Sequence, residues 1–137
     1  MYLLDTSYLI DLIRGKPEAI KLARRIEKEK AYIAISVVTV HEYLLGVFLS
    51  YWRNKEKLEE MLKKAEVELS RFDILPYTID IAEKTAEILA YYLFKRGEPL
   101  SLSDTIIAAT SMRYRLKLVT RNAKHFSRIP GLEVITY

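Results

Sequence analysis

Short apolar runs alternate along the chain with longer segments whose apolar residues recur at helical spacing. Tyr2-Leu-Leu-Asp5, Tyr32-Ile-Ala-Ile-Ser36, Phe72-Asp-Ile-Leu-Pro76 and Lys117-Leu-Val-Thr120 read as strands, with Leu132-Glu-Val-Ile-Thr136 as a fifth at the edge. The Tyr32 run is too uniformly apolar to be half-exposed, which suits a buried parallel strand. Thr6 to Arg14 forms a short helix stopped by Gly15, and after Lys16-Pro17 a charged amphipathic helix sets Ile20, Ala23 and Ile26 on one face. Thr39 to Tyr51 turns Val40, Tyr43, Leu44, Val47 and Phe48 toward the core, and the Lys- and Glu-rich stretch Lys55 to Arg71 follows as a helix exposed on one side. Ile79 to Arg96 is helical with Gly97 as its left-handed cap, and Ser101 to Leu116 is a further helix whose Ala108-Ala-Thr110 run permits close packing. Strand and helix alternating in this way predict right-handed crossovers and an α/β fold: a three-layer α/β/α sandwich around a central, mainly parallel sheet.

Composition narrows the chemistry. A chain of 137 residues suits one domain, residues 1–137. Cysteine is absent, which excludes disulfides, zinc ribbons and thiol nucleophiles. The four glycines, Gly15, Gly46, Gly97 and Gly131, are too dispersed for a dinucleotide or Walker phosphate loop. Against 18 acidic residues stand 22 basic ones, a net charge of +4 that leans mildly toward a polyanionic partner. Asp5 falls where a leader would be apolar, and the most apolar long window, Tyr32 to Trp52, has His41 and Glu42 at its centre. The expectation is a soluble, cytoplasmic chain without a membrane span.

In an open parallel sheet, ligands bind beyond the carboxyl ends of the strands. Three acids fall there. Asp5 ends the first strand, Glu42 lies in the first turns of the helix after the second, and Asp104 in the first turn of the helix leading to the fourth, which itself ends in Thr120-Arg-Asn122. Each acid has a structural reading too: Thr39-Val-His-Glu42 and Ser101-Leu-Ser-Asp104 match the capping box, and Asp5 before Thr6-Ser7 reads as an N-cap contributing about 1 kcal/mol. Together, three carboxylates facing one cleft repel unless a cation holds them. Arg121, Lys124 or Lys117 offers such a charge. A hard divalent ion suits carboxylate oxygens better, and it polarises a phosphoryl oxygen and activates water for in-line attack.

The strings Leu4-Asp5-Thr6-Ser7, Thr39-Val-His-Glu42 with Gly46, Ser103-Asp104-Thr-Ile-Ile-Ala-Ala-Thr110 and Val119-Thr120-Arg-Asn122-Ala-Lys-His-Phe126, in this order over nearly the whole chain, resemble the PIN domain. Within that family the chain looks like the ribonuclease toxins of VapC type. The resemblance implies an Mg²⁺- or Mn²⁺-dependent endoribonuclease, a homodimer, and inhibition by a VapB-type antitoxin. Carried over residue by residue, Asp5, Glu42 and Asp104 are the catalytic, metal-site acids, with Ser7, Thr120 and Asn122 as supporting polar neighbours and Thr6 a further one. Many members carry another acid at the position of Asn122; the neutral amide here lowers the charge of the site, so one metal is expected to bind well and a second weakly.

Arg121 and Lys124 are candidates for substrate phosphates, with Arg14 and Lys16 behind them; His41 reads as packed or surface, and His125 stands beside the cleft. Asp11, Asp73 and Asp80 fit helix-surface or turn roles, and Tyr51 and Trp52 offer a docking place for an antitoxin. Two rivals remain. One is a catalytically inactive PIN-like module that binds RNA or protein, for which Asn122 argues. The other is a phosphoacceptor domain, which needs adjacent acids after the first strand where this chain supplies only Asp5.

Overall fold

A computed structural model describes residues 1–97 and 99–137. In chain order the elements are β1 (Tyr2–Leu4), α1 (Thr6–Ile13), α2 (Pro17–Lys28), β2 (Ile33–Ser36), α3 (Val37–Tyr51), α4 (Lys55–Leu69), β3 (Asp73–Leu75), α5 (Ile79–Arg96), α6 (Leu102–Arg113), β4 (Lys117–Val119), α7 (Ala123–Phe126) and β5 (Val134–Ile135). The five strands form one parallel sheet in the order β3-β2-β1-β4-β5. Tyr2 stands opposite Ile33 and Lys117, and Leu4 opposite Ile35 and Val119.

Successive strand residues point to opposite faces, so each strand feeds two cores. Leu3, Ala34 and Leu118 pack beneath Ile81 and Ile88 of α5, Ile107 and Ala108 of α6, and Phe126. Tyr2, Leu4, Ile35 and Val119 pack against Tyr8 and Leu9 of α1, Leu22 and Ile26 of α2, and Leu69 of α4. Full burial of each such side chain contributes roughly 1.5–3 kcal/mol, which is why strands of three or four residues suffice here. These are the three layers expected from the alternation.

The chain moves outward from β1 through β2 to β3, then returns across the sheet to place β4 on the other side of β1. The direction of winding therefore reverses between β1 and β4, and at such a switch point the diverging connections leave a crevice at the carboxyl ends. Backbone bonds from Asp5 N to Val119 O (2.9 Å) and from Thr120 N to Ile135 O (3.0 Å) carry the ladder right up to that crevice.

Local details differ from the pattern in four places. On α2 the buried residues are Ala19, Leu22 and Ile26, whereas Ile20 and Ala23 are half-buried, because the stripe that meets the sheet lies one position earlier. Helix α3 begins at Val37, where Ser36 caps it by accepting from Val38 N at 3.1 Å, and its Phe48 is exposed rather than core-facing. Helix α6 ends at Arg113, ahead of Leu116: Arg115 adopts a left-handed φ of 53° and Leu116 N turns back to Ser111 O. The short α7 was not expected, since four residues carry no readable period. Gly97 caps α5 as anticipated, with φ 65°. Among the described residues, no helix is long and apolar enough to cross a membrane.

Candidate active site

Asp5 lies at the switch point, one residue beyond β1, and only 3% of it is exposed. It sits at the N-cap position of α1 yet makes no capping bond with its side chain. Its Oδ2 instead accepts from Ser7 Oγ and Thr120 Oγ1, both at 2.7 Å. Ser7 Oγ in turn accepts from Arg121 N at 3.1 Å, and Thr120 Oγ1 from Asn122 N at 3.0 Å. Both hydroxyls are thus used as donor and acceptor, which fixes their protons toward Asp5 and locks its rotamer. Among the described residues no cationic side chain pairs with Asp5. A buried carboxylate without a cation is costly and is ordinarily paired or bound to a metal.

Asp104 enters from α6. Ser101 caps that helix by accepting from Asp104 N at 3.1 Å, so half of the predicted capping box forms while the carboxylate remains partly exposed toward the cleft. Burial, then the negative charge of Asp5, pushes the Asp104 carboxyl above its ordinary value, against the pull of Ser101 and His125. The two carboxylates thus lie within electrostatic reach of each other. His125 Nδ1 of α7 lies 3.7 Å from Asp104 Oδ2, on an otherwise exposed side chain.

Glu42 is not part of a capping box, because Ser36 already caps α3 and Thr39 is inside the helix. Its Oε1 accepts from Thr6 Oγ1 at 2.7 Å, and Thr6 Oγ1 also lies 3.2 Å from Thr39 Oγ1. Thr6 has one proton to give, and the shorter contact to the charged acceptor takes it. Glu42 is therefore held by the residue that follows Asp5 at the N-terminus of α1. Among the described residues, no three His, Asp or Glu side chains gather closely enough in this arrangement to enclose a metal ion. The donor set still fits a hard cation: oxygen ligands only, one of them a buried carboxylate without a cationic partner among the described residues and a second raised by burial and then by that charge. Closing the site asks for rotation of the flexible Glu42 side chain away from Thr6.

The other predicted residues divide. Ser7 and Thr120 are buried on Asp5. Asn122 contributes its backbone N–H to Thr120, and its side chain is exposed at the start of α7 without capping that helix. Lys124 is exposed on α7, and His41 is exposed on α3. Arg121, anticipated as a phosphate contact, is committed elsewhere: its NH1 donates to both oxygens of Asp11 at 2.9 and 3.0 Å.

Asp11 overturns its surface assignment. It is 1% exposed and receives Lys16 Nζ at 2.9 Å and Tyr137 Oη at 2.7 Å as well as Arg121. Burial opposes its charge, but the bonds from Lys16 and Tyr137 and the Arg121 and Lys16 charges outweigh it and hold the carboxyl below its ordinary value. The signal was in the sequence: Asp11 follows Ser7 by one helical turn, hence on the same face, toward the end of β4. Asp80 is the surface acid expected, bridged to Thr78 and Arg113.

Known proteins share this architecture. The PIN domain family matches residues 2–132. Ribonuclease VapC of Rickettsia bellii is 35% identical over 134 residues, 98% of this chain and 94% of the relative. The tRNA(fMet)-specific endonuclease VapC of Salmonella typhimurium is 32% identical over 133 residues, 97% of this chain and 95% of the relative. The solved structure of DNA-bound VapBC from Salmonella typhimurium aligns with a TM-score of 0.82 at 30% identity, covering 98% of this chain and 96% of that one. A family match over residues 2–132, with relatives at this identity over nearly the whole chain, makes the chain a member of the PIN-domain family.

Proposed function

We propose that the protein is a divalent-metal-dependent endoribonuclease, the toxin of a VapBC-type toxin–antitoxin pair, restrained by a VapB-type antitoxin and acting as a homodimer in the cytoplasm. The observation that carries the metal site is Asp5, a buried carboxylate fixed by two hydroxyls, with no cationic partner among the described residues and with the Asp104 carboxylate within electrostatic reach. In this reading Asp5, Asp104 and Glu42 hold Mg²⁺ or Mn²⁺. A divalent ion there supplies charge to polarise a phosphoryl oxygen and lowers the pKa of water. Ser7 and Thr120 keep Asp5 in one rotamer, which is the preorganisation such a site requires. In this reading Ser7, which donates to Asp5 and accepts from Arg121 N, positions the carboxylate, and water attacks the phosphodiester in line with the leaving oxygen without a covalent intermediate. Asn122 adds a neutral amide at the rim, consistent with a single tightly held metal.

Cleavage of structured RNA, tRNA included, by purified protein tests this, with Mg²⁺, Mn²⁺ or chelator and with Asp5→Asn and Asp104→Asn. The expected result is cleavage that needs the metal and disappears in both variants. Cleavage persisting in chelator or in both variants would overturn it. The bond that holds Glu42 on Thr6 and the neutral amide of Asn122 favour one rival, an inactive RNA-binding module, and retention of RNA without cutting is its signature.

A further inference from the structure

Away from the acidic crevice, a groove of about 880 Å³ runs between α2 and the last residues after β5. It lies near the upper end of the roughly 300–1,000 Å³ range of ligand clefts. Four of its lining residues, Lys21, Arg24, Arg25 and Lys28, are cationic and only Glu18 is acidic. Arg25 lies 4.0 Å from Glu29, whereas Lys21, Arg24 and Lys28 make no ion pair among the described residues. Those three follow each other at intervals of three and four, so they form one stripe along α2, spanning about 10 Å at 1.5 Å per residue.

The groove also holds an aromatic ring with a fixed position. Tyr137 packs edge-on against Tyr8, ring centroids 4.9 Å apart, and its hydroxyl donates to Asp11 at 2.7 Å. Through Asp11 the groove connects to the site: Tyr137 and Arg121 share Asp11, Arg121 N donates to Ser7, and Ser7 donates to Asp5. Tyr137, on the wall of the groove that the cationic stripe lines, is therefore joined through Asp11, Arg121 and Ser7 to the candidate catalytic carboxylate.

A cationic track beside an immobilised aromatic platform is the arrangement that binds unpaired nucleic acid, with phosphates on the charges and a base on the ring. We propose that this groove holds the single-stranded flank of the RNA substrate, with Lys21, Arg24 and Lys28 on its phosphates and Tyr137 under one base. The proposal rests on the ribonuclease reading and adds to it where the substrate lies outside the acidic cleft. The uncharged floor, including Ile20 and Pro17, fits the apolar faces of bases splayed toward the protein.

The test uses the full chain carrying Asp5→Asn, so that binding is read without cutting, and a fluorescent RNA hairpin with an unpaired tail. Lys21→Gln/Arg24→Gln/Lys28→Gln is compared with Lys55→Gln/Lys63→Gln/Lys64→Gln, which removes the same charge from the exposed side of α4. The α2 variant is expected to bind about tenfold or more weakly and to lose about 2 from the slope of log affinity against log salt, at roughly 0.7 per phosphate contact. The α4 variant is expected to match the parent, and Tyr137→Leu to weaken binding of the tailed hairpin more than Tyr137→Phe. With Asp5 restored, the α2 change is expected to raise KM for the tailed RNA more than it lowers kcat. Equal losses in the α2 and α4 variants, or an unchanged salt slope, would overturn the groove while leaving the nuclease standing. Loss of antitoxin binding with RNA affinity intact would reassign it to protein docking. If the Asp5→Asn chain does not bind RNA and the chain with Asp5 restored does not cut it, both readings fall together.

Discussion

Asp11→Asn probes the connection between the two halves of the active-site frame. Each Asp11 oxygen takes two donors: Oδ1 from Lys16 and Arg121, Oδ2 from Arg121 and Tyr137. An amide must point its NH₂ at one of these pairs. The less costly orientation faces Tyr137, whose hydroxyl can turn and accept, leaving Oδ1 for Lys16 and one Arg121 bond. One charge-assisted bond, worth about 1.5–3 kcal/mol, is then lost together with the carboxylate's charge. The full 3–5 kcal/mol of a broken buried pair is not reached, because Arg121 and Lys16 are 49% and 45% exposed and can turn to water. The net expectation is about 3 kcal/mol. With an unfolding entropy near 2.1 cal/mol/K per residue over 137 residues, this lowers Tm by about 10 °C.

The pH dependence carries a sign. The folded Asp11 carboxyl lies below its ordinary value, so its stabilisation is complete above the unfolded value and is lost as pH falls through the folded one. Thermal melts of parent and variant from pH 7 to pH 3 should therefore diverge at neutral pH and converge only toward the acid end. Cleavage should fall as well, because Arg121 N braces Ser7 on Asp5. A variant melting within 1–2 °C of the parent at pH 7 (against the roughly 10 °C expected) would refute the claim that the Asp11 charge ties this frame together.

Three further outcomes follow from the same contacts. Thr120→Val keeps the β-branch but removes the hydroxyl between Asp5 and Asn122 N, so calorimetry should show a loss of about 2–3 kcal/mol and an RNA cleavage assay a fall in kcat; wild-type kcat would sever Thr120 from Asp5 orientation. Asp104→Asn should raise Tm in chelator at neutral pH, because burial and the Asp5 charge raise the folded Asp104 carboxyl and make its ionised form a cost; the gain should vanish as pH falls through the ordinary carboxylate range, and a lower Tm at pH 7 would contradict it. Ser36→Ala removes the α3 cap and should cost about 1 kcal/mol in urea unfolding at an unchanged m-value, whereas Thr39→Val, inside the helix, should show no capping loss.

Periodicity alone determined the layers. The apolar run around Ile33–Ser36 and the alternation of Tyr2, Leu3 and Leu4 require a sheet covered on both faces, because no other arrangement buries both sets. Asp5 at the end of β1, Asp104 in the first turn of α6, and the hydroxyls of Ser7 and Thr120 that hold Asp5 were legible because a parallel sheet places its ligand crevice at the carboxyl ends of its strands whatever the details of packing. Tertiary structure decided how those side chains are used. Glu42 turns to Thr6, and Ser36 rather than Thr39 caps α3, because a helix begins where the strand's last bond releases the backbone, and a capping motif written in sequence does not fix that point. Arg121 went to Asp11 instead of a phosphate, since a buried carboxylate one turn beyond Ser7 draws the nearest cations, and nothing local in the sequence shows that Lys16, Arg121 and Tyr137 converge there. Such convergence joins residues more than a hundred positions apart, so it exists only once β4 has paired with β1 and β5 with β4.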